Sequence, residues 1–271
     1  MKYNKDFPKE RAVAYRDGFQ NSILGQYMDS SEQSPVVTSM NLDKNCFLLD
    51  AGCGTGRYLA NAVPEQPIVG LDLSIEMLKV AREDLKRGFF VVGELENMPF
   101  KDNVFNEVIS VRVLQHIIDQ QKAISEMSRV CKVTGNVIIL SYNSWSLLSL
   151  YKAIRMSNLG KVINYFFRFL PVVGSGFAKW SSNYDNYCSL PELAVLFKKA
   201  GMVTVERKGG TIGFPWVFWY FGLRDNFQRF APGVLRWYFR VARVLEDRLG
   251  SVFPFKYLMD LVIIKGIKRE K

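Results

Sequence analysis

Histidine is almost missing from this 271-residue chain, His116 being the only one, and the four cysteines, Cys46, Cys53, Cys131 and Cys188, form no Cys-x-x-Cys pair. A zinc centre of the usual ligand types is therefore not expected, and no metal site is assigned. Cysteines this scattered suit a reducing, cytosolic setting better than a disulfide framework. The first residues, MKYNKDFPKERAVAYRDGF, are charged throughout and lack the apolar core of a secretory signal. The longest apolar stretch, IGFPWVFWYFGL at 212–223, contains a proline and is too short to cross a bilayer. Acids are also scarce relative to bases, 26 against 36, which leaves a formal net charge of +10. That excess favours an anionic partner such as nucleic acid, an acidic lipid surface, or a phosphorylated or carboxylated substrate. It is equally compatible with a soluble protein that happens to be basic.

Hydrophobic residues make up 48% and charged residues 23% of the chain, enough for a full core at this length. The first 45 residues read as one or two short helices and a polar link, SSEQSPV. Strand and helix patterns then alternate. CFLLDA (46–51) is a short buried run, followed by a glycine turn and a helical stretch to about Val63. PIVGLD (67–72) is the next strand, and Ser74 caps a helix whose Met77, Leu78 and Ala81 recur at helical spacing. FFVVG (89–93) and VFNEVISV (104–111) are further strands, before a helix around 119–131 and the strand NVIILSY (136–142). SLPELAVLFKKAG (189–201) is a capped amphipathic helix, MVTVERK (202–208) a strand, and YLMDLVIIKGIKR contains the last strand. Such alternation predicts an α/β fold with a mostly parallel sheet and helices on both faces.

In LLDAGCGTGRYL (48–59) an apolar strand ends in an acid, and Gly52, Gly54 and Gly56 alternate behind it. Alternating glycines serve a tight strand-to-helix turn that a ligand approaches closely. The dinucleotide fingerprint would need a third glycine one residue beyond Gly56, where Arg57 stands instead, so that motif fits poorly. Asp50 ends the first strand, Asp72 ends the second, where an acid in such folds holds ribose hydroxyls, and Glu94 follows the third.

Taken in order, LLDAGCGTGRYL, GLDLS, GELENMPF and FNEVISVRVLQHI resemble the class I S-adenosylmethionine-dependent methyltransferases, of the methyltransferase type 11 kind. The resemblance is strong over about 46–143 and looser through YCSLPELAVLFKKAGM and the last strand. It implies a Rossmann-like, seven-stranded, mostly parallel sheet with aromatic-rich helical insertions. It also implies an S-adenosyl-L-methionine cofactor, converted to S-adenosyl-L-homocysteine. Carried over by position, Gly52, Cys53, Gly54 and Gly56 form the turn against the methionine part of the cofactor. Asp50 orients that loop or the amino group, while Asp72, with Leu73 beside it, holds the ribose hydroxyls. Glu94, or Leu95 through its backbone, meets the adenine, and Val111 lies near the cofactor. The family's Pro-Gly-Gly-like turn is replaced by Val133-Thr134-Gly135.

The chain then divides, as one domain, into an N-terminal helical segment (1–45), a cofactor-binding core (46–143), an insertion (144–183), more core (184–210), an aromatic and basic insertion or lid (211–256), and a last strand and tail (257–271). An acceptor hydroxyl would need a positioned base, and His116, after the fourth strand, is either that base, a substrate contact, or support for its loop. Tyr184 and Tyr187 are lesser candidates for closing over the site, with simple packing the favoured reading. In the last insertion, FPWVFWYFGLRDNFQRF precedes a helix from Pro232 to Gly250, with Leu235, Tyr238, Ala242, Leu245 and Leu249 on one face and Arg229, Arg236, Arg240 and Arg243 in a neighbouring stripe. Three readings compete: a lid with solvated arginines, a cover for an apolar or lipid-like substrate that also rests on an anionic membrane surface, or a grip on RNA phosphates. The expected activity is O- or N-methylation of a small, apolar or lipid-like acceptor. A tRNA methyltransferase and a catalytically silent binding scaffold are the alternatives. The expected location is cytoplasmic, with peripheral membrane contact under the second reading.

Overall fold

The computed structural model describes residues 8–146, 149, 186–210 and 232–270. Two N-terminal helices, α1 (Lys9–Gln20) and α2 (Ile23–Ser39), precede β1 (Leu48–Ala51), β2 (Ile68–Asp72), α3 (Ile75–Leu85), β3 (Phe89–Val92) and β4 (Phe105–Val111). Then come α4 (Gln120–Val130), β5 (Cys131–Tyr142), α5 (Leu190–Lys199), β6 (Met202–Gly209), α6 (Pro232–Leu249) and β7 (Leu261–Lys268). The seven strands form one sheet in the order β3-β2-β1-β4-β5-β7-β6. Only β7 runs against its neighbours. The order reverses between β1 and β4, which opens a crevice at the carboxyl ends of those strands.

Side chains alternate across the sheet, as the twofold period of a strand requires. Leu48, Ile109, Ile138 and Ile263 join one core with Val36 of α2 and Leu235 and Phe239 of α6. Leu49, Val108, Val137 and Ile264 join the other with Ala123 and Met127 of α4 and Phe197 of α5. α3 starts at the Ser74 cap, whose hydroxyl accepts the Met77 N–H. α5 starts with a capping box in which Ser189 and Glu192 satisfy each other's backbone N–H groups.

Several sequence expectations need correction. The stretch after the glycine turn is not an α-helix but turns ending in one 3-10 turn, Leu59–Asn61. Only seven residues separate Gly56 from Pro64, too few to repay helix nucleation. SSEQSPV is not a link, because it lies inside α2 with Pro35 in the helix interior. An interior proline costs about 3 kcal/mol, offset here by tertiary bonds: Glu32 pairs with two arginines, and Ser31 donates to Glu246. Val133-Thr134-Gly135 is not a separate loop. It is absorbed as an irregularity within β5, between the pairs Phe105–Cys131 and Glu107–Asn136. α6 is turned from its expected face: Leu235, Phe239, Ala242 and Glu246 are buried, and Leu245 is exposed. Phe239 stacks on Tyr27 at 4.3 Å, and the Tyr27 hydroxyl donates to Glu246 at 2.6 Å, which fixes that rotation. Most of the 144–183 insertion, and the aromatic segment 214–230 with Arg229, lie outside the described residues.

Candidate active site

At the end of β1 the chain turns through left-handed backbone at Gly52 (φ 89°), Gly54 (φ 51°) and Gly56 (φ 78°). The three glycines do different things. A Cβ on Gly52 would stand 2.3 Å from the Val113 side chain, so this glycine lets the turn close against the loop after β4. A Cβ on Gly54 would meet nothing within 4 Å, which leaves that backbone open to the crevice. A Cβ on Gly56 would stand 2.7 Å from Leu85, so Gly56 seats the turn on α3. The first N–H groups of the turn, Gly52 and Cys53, both donate to the Leu71 carbonyl in β2.

Asp72 then ties two loops together. Its Oδ2 accepts the Gly54 N–H at 2.9 Å and its Oδ1 accepts the Ser74 N–H at 2.8 Å. Burial raises its pKa, and the backbone donors Ser74 and Gly54 work against that rise. Asp50 lies under the turn, 1% exposed, and neither carboxylate oxygen has a hydrogen-bond partner among the described residues. Burial, followed by the neighbouring charge of Asp72, pushes Asp50 up to about 8. The same burial and the two acids push the Cys53 thiol well up, so it is an inert apolar wall.

The crevice holds a cavity of about 890 Å³. That is near the top of the roughly 300–1,000 Å³ range of ligand pockets. Gly52, Cys53, Gly54, Asp72, Leu73, Glu94, Leu95, Val111 and His116 all line it. Asp50 and Gly56 do not: the first sits beneath the turn, the second behind it against α3. Tyr187 lines the cavity and packs on Tyr142 at 5.2 Å, while Tyr184 lies outside the described residues. The Gln115 amide nitrogen donates to the Arg112 carbonyl at 2.5 Å and lies 3.2 Å from His116 Nε2.

The sequence reading missed one whole wall. Arg11, Ala14 and Tyr15 of α1 face the cavity, as do Arg57 and Arg112. Arg57 Nη2 and Arg112 Nη1 converge on buried Glu32 of α2, at 2.6 and 2.9 Å. Burial raises the Glu32 pKa, but Arg112 and then Arg57 more than offset it, so this carboxylate titrates below its ordinary value. The available signal was position: Arg57 follows Gly56 directly, and Arg112 follows Val111.

Gly52 and Gly54 differ in what a side chain would meet, and so in the cost of substitution. Gly52→Ala is expected to lower stability by several kcal/mol through overlap and left-handed strain, and Val113→Ala added to it to restore part of the loss. Gly54→Ala should cost only about 1–2 kcal/mol. Chemical denaturation of the four proteins checks this, and equal losses for the two glycine variants would contradict it.

The residues present suit a nucleoside cofactor bearing a positive charge: an open glycine backbone, an acid at the end of β2, and an orphaned buried carboxylate beneath the turn. Comparison with known proteins agrees. Residues 49–139 match the family model described as a methyltransferase domain. A demethylmenaquinone methyltransferase of Anoxybacillus flavithermus is 32% identical over 212 residues, 71% of this chain and 85% of that protein. A solved SAM-dependent methyltransferase of Thermotoga maritima, described as a possible histamine N-methyltransferase, has a TM-score of 0.62 at 19% identity, covering 96% of this chain and 98% of that one. A phosphoethanolamine N-methyltransferase of Haemonchus contortus, solved with S-adenosylhomocysteine, has a TM-score of 0.59 at 19% identity, over 97% of this chain and 58% of that one. At such identities the solved structures show the shared fold. Together with the family model and the curated relative, they establish that the chain belongs to the class I S-adenosylmethionine-dependent methyltransferases.

Proposed function

We propose that this methyltransferase acts on a small, apolar, quinone-like acceptor. The observation that carries the reading is the share of the cavity lining supplied by Tyr15, Tyr58, Ile117, Ile118, Tyr142 and Tyr187, beside Arg57 and Arg112, which are already paired with Glu32. Aromatic and branched apolar side chains suit a flat ring with an apolar tail better than a charged amine or a phosphate. The relative named for demethylmenaquinone supports the same class.

Within this reading the glycine turn and Asp72 hold the methionine and ribose ends of the cofactor, and Glu94 and Leu95 flank its base. The cofactor supplies an electrophilic methyl group on its sulfonium. The chain supplies alignment and exclusion of water, which in the best cases are together worth roughly 7–11 kcal/mol. A quinone ring is electron-poor, so the nucleophile is its reduced, quinol form, made stronger by loss of a phenolic proton. His116 lines the cavity, and its imidazole is the side chain in this reading that takes that proton.

A second face of α6 supports delivery of such an acceptor from a lipid surface. At 100° per residue, Trp237, Val241 and Val244 lie on the side away from the buried Leu235, Phe239, Ala242 and Glu246, with Val234 and Leu245 flanking them, and each of the five is at least 41% exposed. Arg236 and Arg240 are exposed along the edge of this apolar stripe. A helix of that pattern suits an anionic bilayer surface, with Trp237 at headgroup depth. Among the described residues no helix is long and apolar enough to cross a membrane.

Labelled methyl transfer from S-adenosylmethionine to a reduced prenylated naphthoquinol is expected, and little transfer to histamine or phosphoethanolamine. His116→Gln should lower turnover about 10²-fold or more and flatten the pH profile near neutrality; an unchanged profile removes the proton role. Flotation with phosphatidylglycerol vesicles should recover the protein, whereas Trp237→Ser combined with Val241→Ser should lose at least tenfold in binding. Equal flotation of the two proteins would remove the lipid-facing role of α6.

A further inference from the structure

The wall that the sequence did not reveal has a single carboxylate at its centre. Glu32 lies in α2 with its side chain 2% exposed, and it accepts from Arg57 Nη2 at 2.6 Å and from Arg112 Nη1 at 2.9 Å. Arg57 leaves the glycine turn immediately after Gly56, and Arg112 leaves β4 immediately after Val111. The two arginines therefore belong to the two loops that border the cavity on either side of the β1–β4 crevice. Arg112 adopts a left-handed backbone (φ 57°), a conformation that costs a non-glycine residue about 1–2 kcal/mol and persists where its surroundings hold it.

The link continues into α1. Phe19 lies under the Arg57 guanidinium, 3.9 Å from ring centroid to Cζ, and Arg57 also pairs with Asp29 at 2.6 Å. A Cβ on Gly25 would stand 2.0 Å from the Gly18 carbonyl, so the end of α1 and the start of α2 meet at a tight junction. The other attachments of α1 run to α3. Ala12 packs on Met77 and Val80 of α3, and two ion pairs there, Lys9–Glu83 and Arg16–Asp84, are solvent-exposed or nearly so. The seat of α1 over the cavity, with Arg11 and Tyr15 facing in, is thus shared between α3 and the Phe19 contact with the arginines that Glu32 holds.

We propose that Glu32 is a positioning residue that seats the α1–α2 pair on the cofactor loop and the loop after β4 together, so that cofactor affinity and closure of α1 over the cavity rise and fall as one. The proposal rests on the assignment of the cavity to the cofactor. Neither arginine need touch the cofactor for it to hold. With the carboxylate in place, the glycine turn is clamped from the α2 side as well as from Asp72; without it, Arg57 keeps only Asp29 and Arg112 loses its carboxylate beside the site.

Glu32→Gln keeps the shape and removes the charge. The test measures S-adenosylhomocysteine affinity by calorimetry, and the rate of tryptic cleavage within Lys9–Gln20 with and without that ligand. In the wild-type protein the ligand should slow cleavage at least tenfold. In Glu32→Gln the dissociation constant should rise at least tenfold and the protection should vanish. Phe197→Leu, in the opposite core between α5 and the sheet, serves as a control: matched in loss of thermal stability, it should leave the dissociation constant within twofold. If Glu32→Gln does not fold, Arg112→Lys, which retains the charge but loses the guanidinium fork, should raise the constant three- to tenfold and weaken protection. A folded variant that binds as wild type does, or a ligand that leaves wild-type α1 equally open to trypsin, overturns the clasp. Failure of the wild-type protein itself to bind would instead overturn the cofactor assignment.

Discussion

The hydrogen bond from the Gly54 N–H to Asp72 is the constraint on which the site depends. It joins the turn after β1 to the end of β2, while the other oxygen of the same carboxylate holds the Ser74 N–H at the entry to α3. The Gly52 and Cys53 N–H bonds to Leu71 hold the start of the turn, and the bond to Asp72 fixes Gly54, whose backbone is otherwise open to many conformations. With it, Gly54 faces the cavity, Gly52 closes against Val113 and Gly56 against Leu85. The parallel sheet supplies the crevice, and this one carboxylate gives the crevice a fixed floor.

Charge is arranged in two layers around that floor. Beneath the turn, Asp50 has no hydrogen-bond partner among the described residues and is pushed up to about 8 by burial and by Asp72. A cation brought beside it favours its ionised form, so binding of a positively charged ligand and release of a proton are linked there. Beside the turn, Arg57 and Arg112 are neutralised by Glu32 and Asp29 rather than left to oppose such a ligand. The local balance therefore favours a cationic nucleoside, even though the chain as a whole carries a net charge of +10. The excess of base is carried elsewhere, including the outward arginines of α6.

The sheet was legible because β1, β2 and β3 are short apolar runs closed by glycine or acid and β4, β5 and β7 hold apolar stretches, and the glycine turn was legible because its spacing is specific. Asp72, Glu94 and Val111 fell at strand ends that the pattern located to within a residue. The N-terminal wall was not legible. Glu32 sits in SSEQSPV, whose composition speaks for a link, and its helix exists because of partners 25 and 80 residues away. Local propensity cannot report such partners. The same limit rotated α6: the expected face followed Tyr238 and Leu245, but the tertiary bond from Tyr27 drew a carboxylate, Glu246, inside. Asp50 and Gly56 were picked by the same motif as their neighbours, yet they support the turn from below and behind.

The central claim is that Asp72 and the glycine turn form the cofactor site, and equilibrium titration with S-adenosylhomocysteine addresses it most directly. The account predicts micromolar binding to the wild-type protein, and for Asp72→Ala a loss of about tenfold to a hundredfold, the worth of one or two hydrogen bonds to a charged group. A folded wild-type protein that does not bind, or an Asp72→Ala variant that binds equally well, would contradict it.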